Sequence, residues 1–225
     1  MSSTSNAEGN TNGGKHRRYP KKHTSIEVVD KKAETHHKSI VEQWIDVVYK
    51  SFADKLGNLV VGLDIKRVRN NEEVDVLQLC VGHRCLIFQF FARNKDQVPK
   101  SLVDFLNDHK IKFVGAGIDR VADKLLVDYG LRISTTEDLG NLADRKLGTR
   151  GLYQAELNSL VNIVLGQHLH HQPQFRRITF SRWGRDYLKN EQVEYACLDA
   201  YASFKLGLYL LPLPAPKETK QSQGN

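Results

Sequence analysis

Between two polar ends, apolar positions recur in clear periods from about residue 38 to residue 211. Ile40, Val41, Trp44, Ile45, Val47, Val48 and Phe52 fall at helical spacing and predict an entry helix over about 38–54. Strands are predicted at about 58–66, 73–82 and 84–90, the last two joined by a tight Gly82-His83 link. Pro99 opens a helix through Leu102, Phe105 and Leu106, because its fixed φ suits a helix start. Ile111-Lys112-Phe113-Val114-Gly115 reads as a fourth strand, and a helix from about 118 to 129 stops at Gly130. Leu131-Arg132-Ile133 reads as a short extended piece, and helices are predicted at about 136–146, 152–165 and 190–211. A strand meander, then strand–helix alternation, then helices is the order of an α/β fold with a mixed central sheet and helices on both faces.

Composition changes this picture mainly at the ends. Residues 1–35 read as a disordered basic tail, 36–211 as the folded body and 212–225 as a second tail. Of the net charge of +7, residues 1–34 contribute +3 (seven Lys/Arg against four Asp/Glu) and 212–225 contribute +1, so the body is only mildly basic. The cluster Lys15-His16-Arg17-Arg18-Tyr19-Pro20-Lys21-Lys22-His23 fits a solubilising tail, a nuclear-import signal or a nucleic-acid arm. Cys80, Cys85 and Cys197 are odd in number and lack metal-site spacing, so they read as buried thiols of a reducing compartment. No apolar stretch approaches the roughly 20 residues that cross a bilayer, and the polar N-terminus lacks a signal peptide's apolar run. These features predict an intracellular protein, in nucleus or cytoplasm, with no membrane association.

The candidate chemistry lies in two segments far apart in sequence. Val60-Val61-Gly62-Leu63-Asp64-Ile65-Lys66 is an apolar run ending in an acid, the way a buried strand brings a carboxylate to a sheet's edge. Tyr195-Ala196-Cys197-Leu198-Asp199 places a phenol and a carboxylate four residues apart, on one face of a helix. The setting of the second segment is long: Trp183, Leu188, Gln192-Val193, Tyr195-Ala196 and Asp199-Ala200-Tyr201-Ala202.

Together these segments resemble the first and third motifs of the DEDDy 3'-5' exonucleases, of the ribonuclease H-like superfamily, including the Werner-syndrome exonuclease and its short plant relatives. The resemblance covers about residues 38–211 and implies that superfamily's mixed sheet. It also implies two-metal phosphodiester hydrolysis with Mg²⁺ or Mn²⁺, four carboxylates holding the ions and a tyrosine that helps hold the attacking water. By this resemblance Asp64, Tyr195 and Asp199 are the catalytic residues, Asp64 and Asp199 being metal ligands.

Two family positions are altered. The first motif usually reads Asp-x-Glu, and Lys66 stands at the Glu position, on the same side of the strand as Asp64. Such a lysine pairs with Asp64 or Asp199 in the vacated metal position, or points to solvent if the strand end has shifted. The stretch Phe113–Leu125 resembles the second motif with its acid replaced by Val121. Asp119 and Asp123 lie two residues either side, about 200° around the helix, and so point away. Asp119 reads as an N-terminal cap and Asp123 as a surface charge.

Two acids and one lysine sum to −1, where the family site carries four negative side chains. That balance predicts weak or lost hydrolysis by a protein that still binds single-stranded DNA or RNA, including 3' ends, or acts through a protein partner. The alternatives are an active metal-dependent exonuclease and a non-catalytic interaction module; assembly into dimers or rings stays open. Arg176, Arg177, Arg182 and Arg185, interleaved with Trp183, are candidate strand contacts, although such a Trp is more often core. Gln167-His168-Leu169-His170-His171 reads as a polar loop, since no carboxylate or cysteine lies nearby in sequence to complete a metal site.

Overall fold

The strands are apolar on both sides because both faces of their sheet are covered. The computed structural model describes residues 31–35, 37–67, 73–90, 98–169 and 175–212. Its strands are β1 (Lys31–Thr35), β2 (Leu59–Lys66), β3 (Val76–Val81), β4 (Arg84–Gln89), β5 (Ile111–Gly115) and β6 (Thr136–Asp138). They form one sheet in the order β1-β4-β3-β2-β5-β6. β2, β3 and β4 are antiparallel neighbours, whereas β1 pairs with β4, β5 with β2, and β6 with β5 in parallel. Gly82, at φ 59°, opens the two-residue turn between β3 and β4.

Period-two alternation sorts the side chains. Val61 and Leu63 of β2, Leu77 and Leu79 of β3, and Phe113 of β5 enter one core with α1 (Lys38–Ser51), α2 (Lys100–Leu106) and α3 (Ile118–Tyr129). Val60, Val76, Cys80, Cys85, Ile87 and Val114 enter the other, under α4 (Leu139–Leu147), α5 (Leu157–Leu160) and α7 (Asn190–Leu210). The short α6 (Phe175–Thr179) leads towards α7. Mixed sheet and helices on both faces are therefore as expected. Cys80, Cys85 and Cys197 are buried thiols outside any disulfide. Among the described residues no helix is long and apolar enough to cross a membrane.

α7 sets the height of everything above β2. A Cβ on Gly62 would lie 2.1 Å from the Ala200 carbonyl oxygen and 2.5 Å from the Phe204 nitrogen, so only glycine lets the helix sit this close.

Several local expectations are corrected. Residues 31–35, polar enough to read as part of the tail, form β1, since an edge strand is held by its backbone and needs no apolar run. The last parallel strand is Thr136–Asp138, starting five residues later than the extended piece expected at 131–133. The helix expected at 136–146 consequently starts at Leu139, where the Asp138 carboxylate caps it by accepting the Asn141 N–H at 2.9 Å.

The helix expected over 152–165 is broken into a 3-10 turn (Leu152–Gln154), α5 and a π turn (Val161–Leu165). Asp144 explains the break: its carboxylate accepts the N–H groups of Gly151 and Leu152 at 3.1 and 3.0 Å, holding the chain against α4. Residues 1–30, with the basic cluster, and 213–225 lie outside the described residues, as do His170 and His171.

Candidate nuclease-like centre

Position 66 ends β2, and its side chain follows Asp64 on the α7 side of the sheet. The Lys66 Nζ donates to Asp64 Oδ2 and to Asp199 Oδ2, each at 2.5 Å. The strand end has not shifted: the lysine does not reach for solvent and joins both acids. It is also 5.3 Å from the centre of the Tyr195 ring, within cation–π range. The three charged side chains are largely enclosed, with exposures of 14% for Lys66, 25% for Asp64 and 6% for Asp199.

Burial is the largest single influence on each of Lys66, Asp64 and Tyr195. It would lower the Lys66 ammonium, but Asp199 and Asp64 more than reverse this and hold it above the usual lysine range. The Asp64 carboxyl is pushed up, chiefly by burial and further by Asp199, with Lys66 opposing the rise. Burial also raises the Tyr195 phenol, and the Asp199 carboxylate adds to it. The Tyr195 hydroxyl shares a 2.9 Å hydrogen bond with Thr179 Oγ1, which ties α7 to α6. Thr179 was not singled out from sequence, because a lone Thr on an unpredicted short helix carries no signal.

Val121 is half-buried and packs against the core shared by α1, α2 and α3. Asp119 and Asp123 are both exposed. Asp119 does not cap α3; its carboxylate accepts from Thr136 Oγ1 at 3.2 Å. The cap is Gly117, in the left-handed region at φ 65°, and its N–H donates to Asp138 Oδ2 at 2.7 Å. One carboxylate thus serves the start of two helices, a role invisible in sequence because its partners lie 21 and three residues away.

The donor set does not suit a pair of divalent ions. Hard cations need several oxygen ligands, whereas here one ammonium occupies the space between two carboxylates. Among the described residues, no group of three or more His, Cys, Asp or Glu side chains comes together that could hold a metal ion.

The arginines predicted as strand contacts lie in the approach to α7. Arg177, Arg182 and Arg185 are exposed, and the side chain of Arg176 lies outside the described residues. Trp183 is fully buried, in the core and not on the surface. In the histidine loop, His168 Nδ1 is 3.0 Å from Asn162 Nδ2.

A strand-end acid on β2, a Tyr-x-x-x-Asp on the helix laid over it and a mixed sheet define a nuclease-like fold of the ribonuclease H type. A family model described as 3'-5' exonuclease matches residues 45–213, and the chain belongs to that family, in its DEDDy branch. A "3'-5' exonuclease" of Arabidopsis thaliana is 34% identical over 168 residues, 72% of this chain and 56% of that protein. The mouse "Bifunctional 3'-5' exonuclease/ATP-dependent helicase WRN" is 32% identical over 149 residues, 64% of this chain and 10% of its own length. The chain therefore spans about half or less of these relatives.

Among solved structures, Brucella melitensis NrnC shares the fold, with a TM-score of 0.56 and 19% identity over 68% of this chain and 73% of that one. The EXD2 exonuclease domain, solved after soaking in Mn and Mg, aligns with 27% identity over 80% of this chain and 88% of that one, at a TM-score of 0.45.

Proposed function

We propose that the chain is a nucleic-acid-binding member of the 3'-5' exonuclease family whose hydrolytic centre is closed by its own lysine. The observation that carries this reading is the Lys66 ammonium, 2.5 Å from both the Asp64 and the Asp199 carboxylates. Its raised pKa keeps it charged at any ordinary pH. At about 4 Å it would repel a divalent ion by several kcal/mol even at an effective dielectric near 20. Val121 supplies no oxygen where the family motif has its acid. Family membership supports the substrate class of this reading: single-stranded DNA or RNA, including 3' ends, held without efficient cleavage. Three buried thiols outside any disulfide favour an intracellular setting.

Restoration tests the reading. Lys66→Glu returns one ligand and removes the cation; Val121→Asp returns the other. Each single variant should trim labelled 3' ends near background with Mg²⁺ or Mn²⁺, and the double variant should trim well above it, a non-additive pair. If the unmodified protein already trims as fast as the double variant, the centre is not closed and the chain is a working exonuclease.

A further inference from the structure

Beside α6 and the start of α7 lies a cleft of about 460 Å³, whose lining includes Arg177, Phe180, Arg182, Arg185, Lys189 and Glu191. Four of these side chains are cations and one is a carboxylate, a balance of +3 over the lining. None of the four cations forms an ion pair among the described residues. All four are exposed, and so is Phe180, at 69%.

The backbone that presents them is held from below. The buried Gln192 donates through Nε2 to Ser181 Oγ at 2.9 Å and to the Arg182 carbonyl at 3.1 Å. The buried Gln89 of β4 donates to the Arg185 carbonyl at 3.0 Å. Between the two arginines, Trp183 is sunk in the core. Gly184 lies against Asp75, whose Oδ1 a Cβ would approach to 2.6 Å. Core interactions thus fix the main chain of residues 181–185 while Arg182 and Arg185 project outward. Cations on a fixed backbone lose little freedom when they meet a ligand.

We infer that this cleft, and not the Asp64–Asp199 centre, is where the chain takes up single-stranded nucleic acid. Backbone phosphates lie along Arg182 and Arg185, with Arg177 and Lys189 flanking, and a base stacks on Phe180. The inference rests on the proposed function and deepens it by naming the surface. Unpaired cations with an exposed aromatic are the chemistry of sequence-tolerant strand binding. An acidic protein segment would use the cations but gain little from Phe180.

The test uses the full chain and the anisotropy of fluorescent 12-mers of oligothymidylate and oligouridylate, from 50 to 300 mM KCl. Arg182→Ala/Arg185→Ala should weaken binding about tenfold or more, and should flatten the plot of log affinity against log salt by about 1.4, two contacts at about 0.7 each. Phe180→Ala should weaken it by about fivefold or more with the slope unchanged. Arg177→Ala/Lys189→Ala, which leaves the 181–185 segment intact, provides a second test should the first pair misfold.

If folded variants of both pairs bind with unchanged affinity and slope, the cleft is wrong while the nucleic-acid reading stands. If the unmodified chain binds neither oligonucleotide, the nucleic-acid reading falls and the cleft with it. Tight binding of poly-glutamate, insensitive to Phe180→Ala, would overturn the inference in favour of an acidic protein partner.

Discussion

The centre on β2 and the cleft beside it handle positive charge in opposite ways, although both are built on the same helix. In the centre a single ammonium is enclosed and satisfied by two carboxylates at 2.5 Å. In the cleft four cations stand exposed, with Glu191 the one carboxylate in the lining. An enclosed pair gains from the low surrounding dielectric and is little screened by salt; exposed unpaired cations attract a polyanion strongly and lose that attraction as salt rises. The centre's charge is spent on the fold, and the cleft's charge remains free for a ligand. Position 66 shows how small the change is: one side chain turns a cluster that would invite cations into one that already holds its own.

The largest blow to this contrast should come from Gly62→Ala. The added methyl would meet the backbone of α7 at Ala200 and Phe204, which cannot give way as a flexible side chain can. Lifting α7 displaces Tyr195 and Asp199 in the centre and Lys189 and Gln192 in the cleft together. A loss of about 3 kcal/mol or more in chemical denaturation is expected, in the upper range for overpacking. A loss below about 1 kcal/mol would mean that the helix seat is softer than its geometry implies.

Next in size is Lys66→Met, which leaves two carboxylates facing each other with no cation. Breaking such an enclosed pair should cost about 3 kcal/mol at pH 8. The sign with pH follows from the raised carboxyl of Asp64. Without the lysine that carboxyl rises further, so protonating it relieves the repulsion. The deficit against the unmodified protein should shrink as pH falls through the carboxylate range. Lys66, raised in the folded state, stabilises the unmodified protein below its unfolded pKa and loses that contribution only in strong alkali. Denaturant midpoints at pH 8 and pH 5 measure the shrinkage; a pH-independent deficit would mean that lost packing, not charge, is the cause.

The two regions were not equally legible in the sequence. Asp64 and Asp199 could be found because each ends or sits within a long pattern, the apolar run of β2 and the extended setting of α7. That Lys66 would pair with Asp64 or Asp199 was one of two open outcomes, and that it bridges both was not foreseen, since a strand's period sets a side chain's face but not its partner 133 residues away. The arginines were visible as residues but not as a cleft. What gathers them is Gln89 and Gln192 reaching main-chain and hydroxyl oxygens, and glutamines in apolar segments carry no signal of that role. The break at residues 152–156 escaped notice for a similar reason: apolar spacing runs on through Leu152, Ala155 and Leu157, while the Asp144 carboxylate that causes it sits on the preceding helix.

The smallest effect should come from a hydrogen bond that joins the two regions. Thr179 ends α6, next to Phe180 of the cleft, and its hydroxyl meets the Tyr195 hydroxyl at 2.9 Å. Thr179→Val keeps the shape and removes that partner from a phenol already raised by burial. A stability loss of about 1 kcal/mol is expected, the size of one intramolecular hydrogen bond. If the bond also holds α6 in register with α7, strand binding should weaken by a small factor, about twofold to threefold, with the salt slope unchanged because no cation is lost. Denaturation and the oligothymidylate titration on one preparation separate the outcomes. A stability loss with unchanged affinity would show that the centre and the cleft are neighbours without coupling. A changed slope would mean that Thr179 positions the cations themselves.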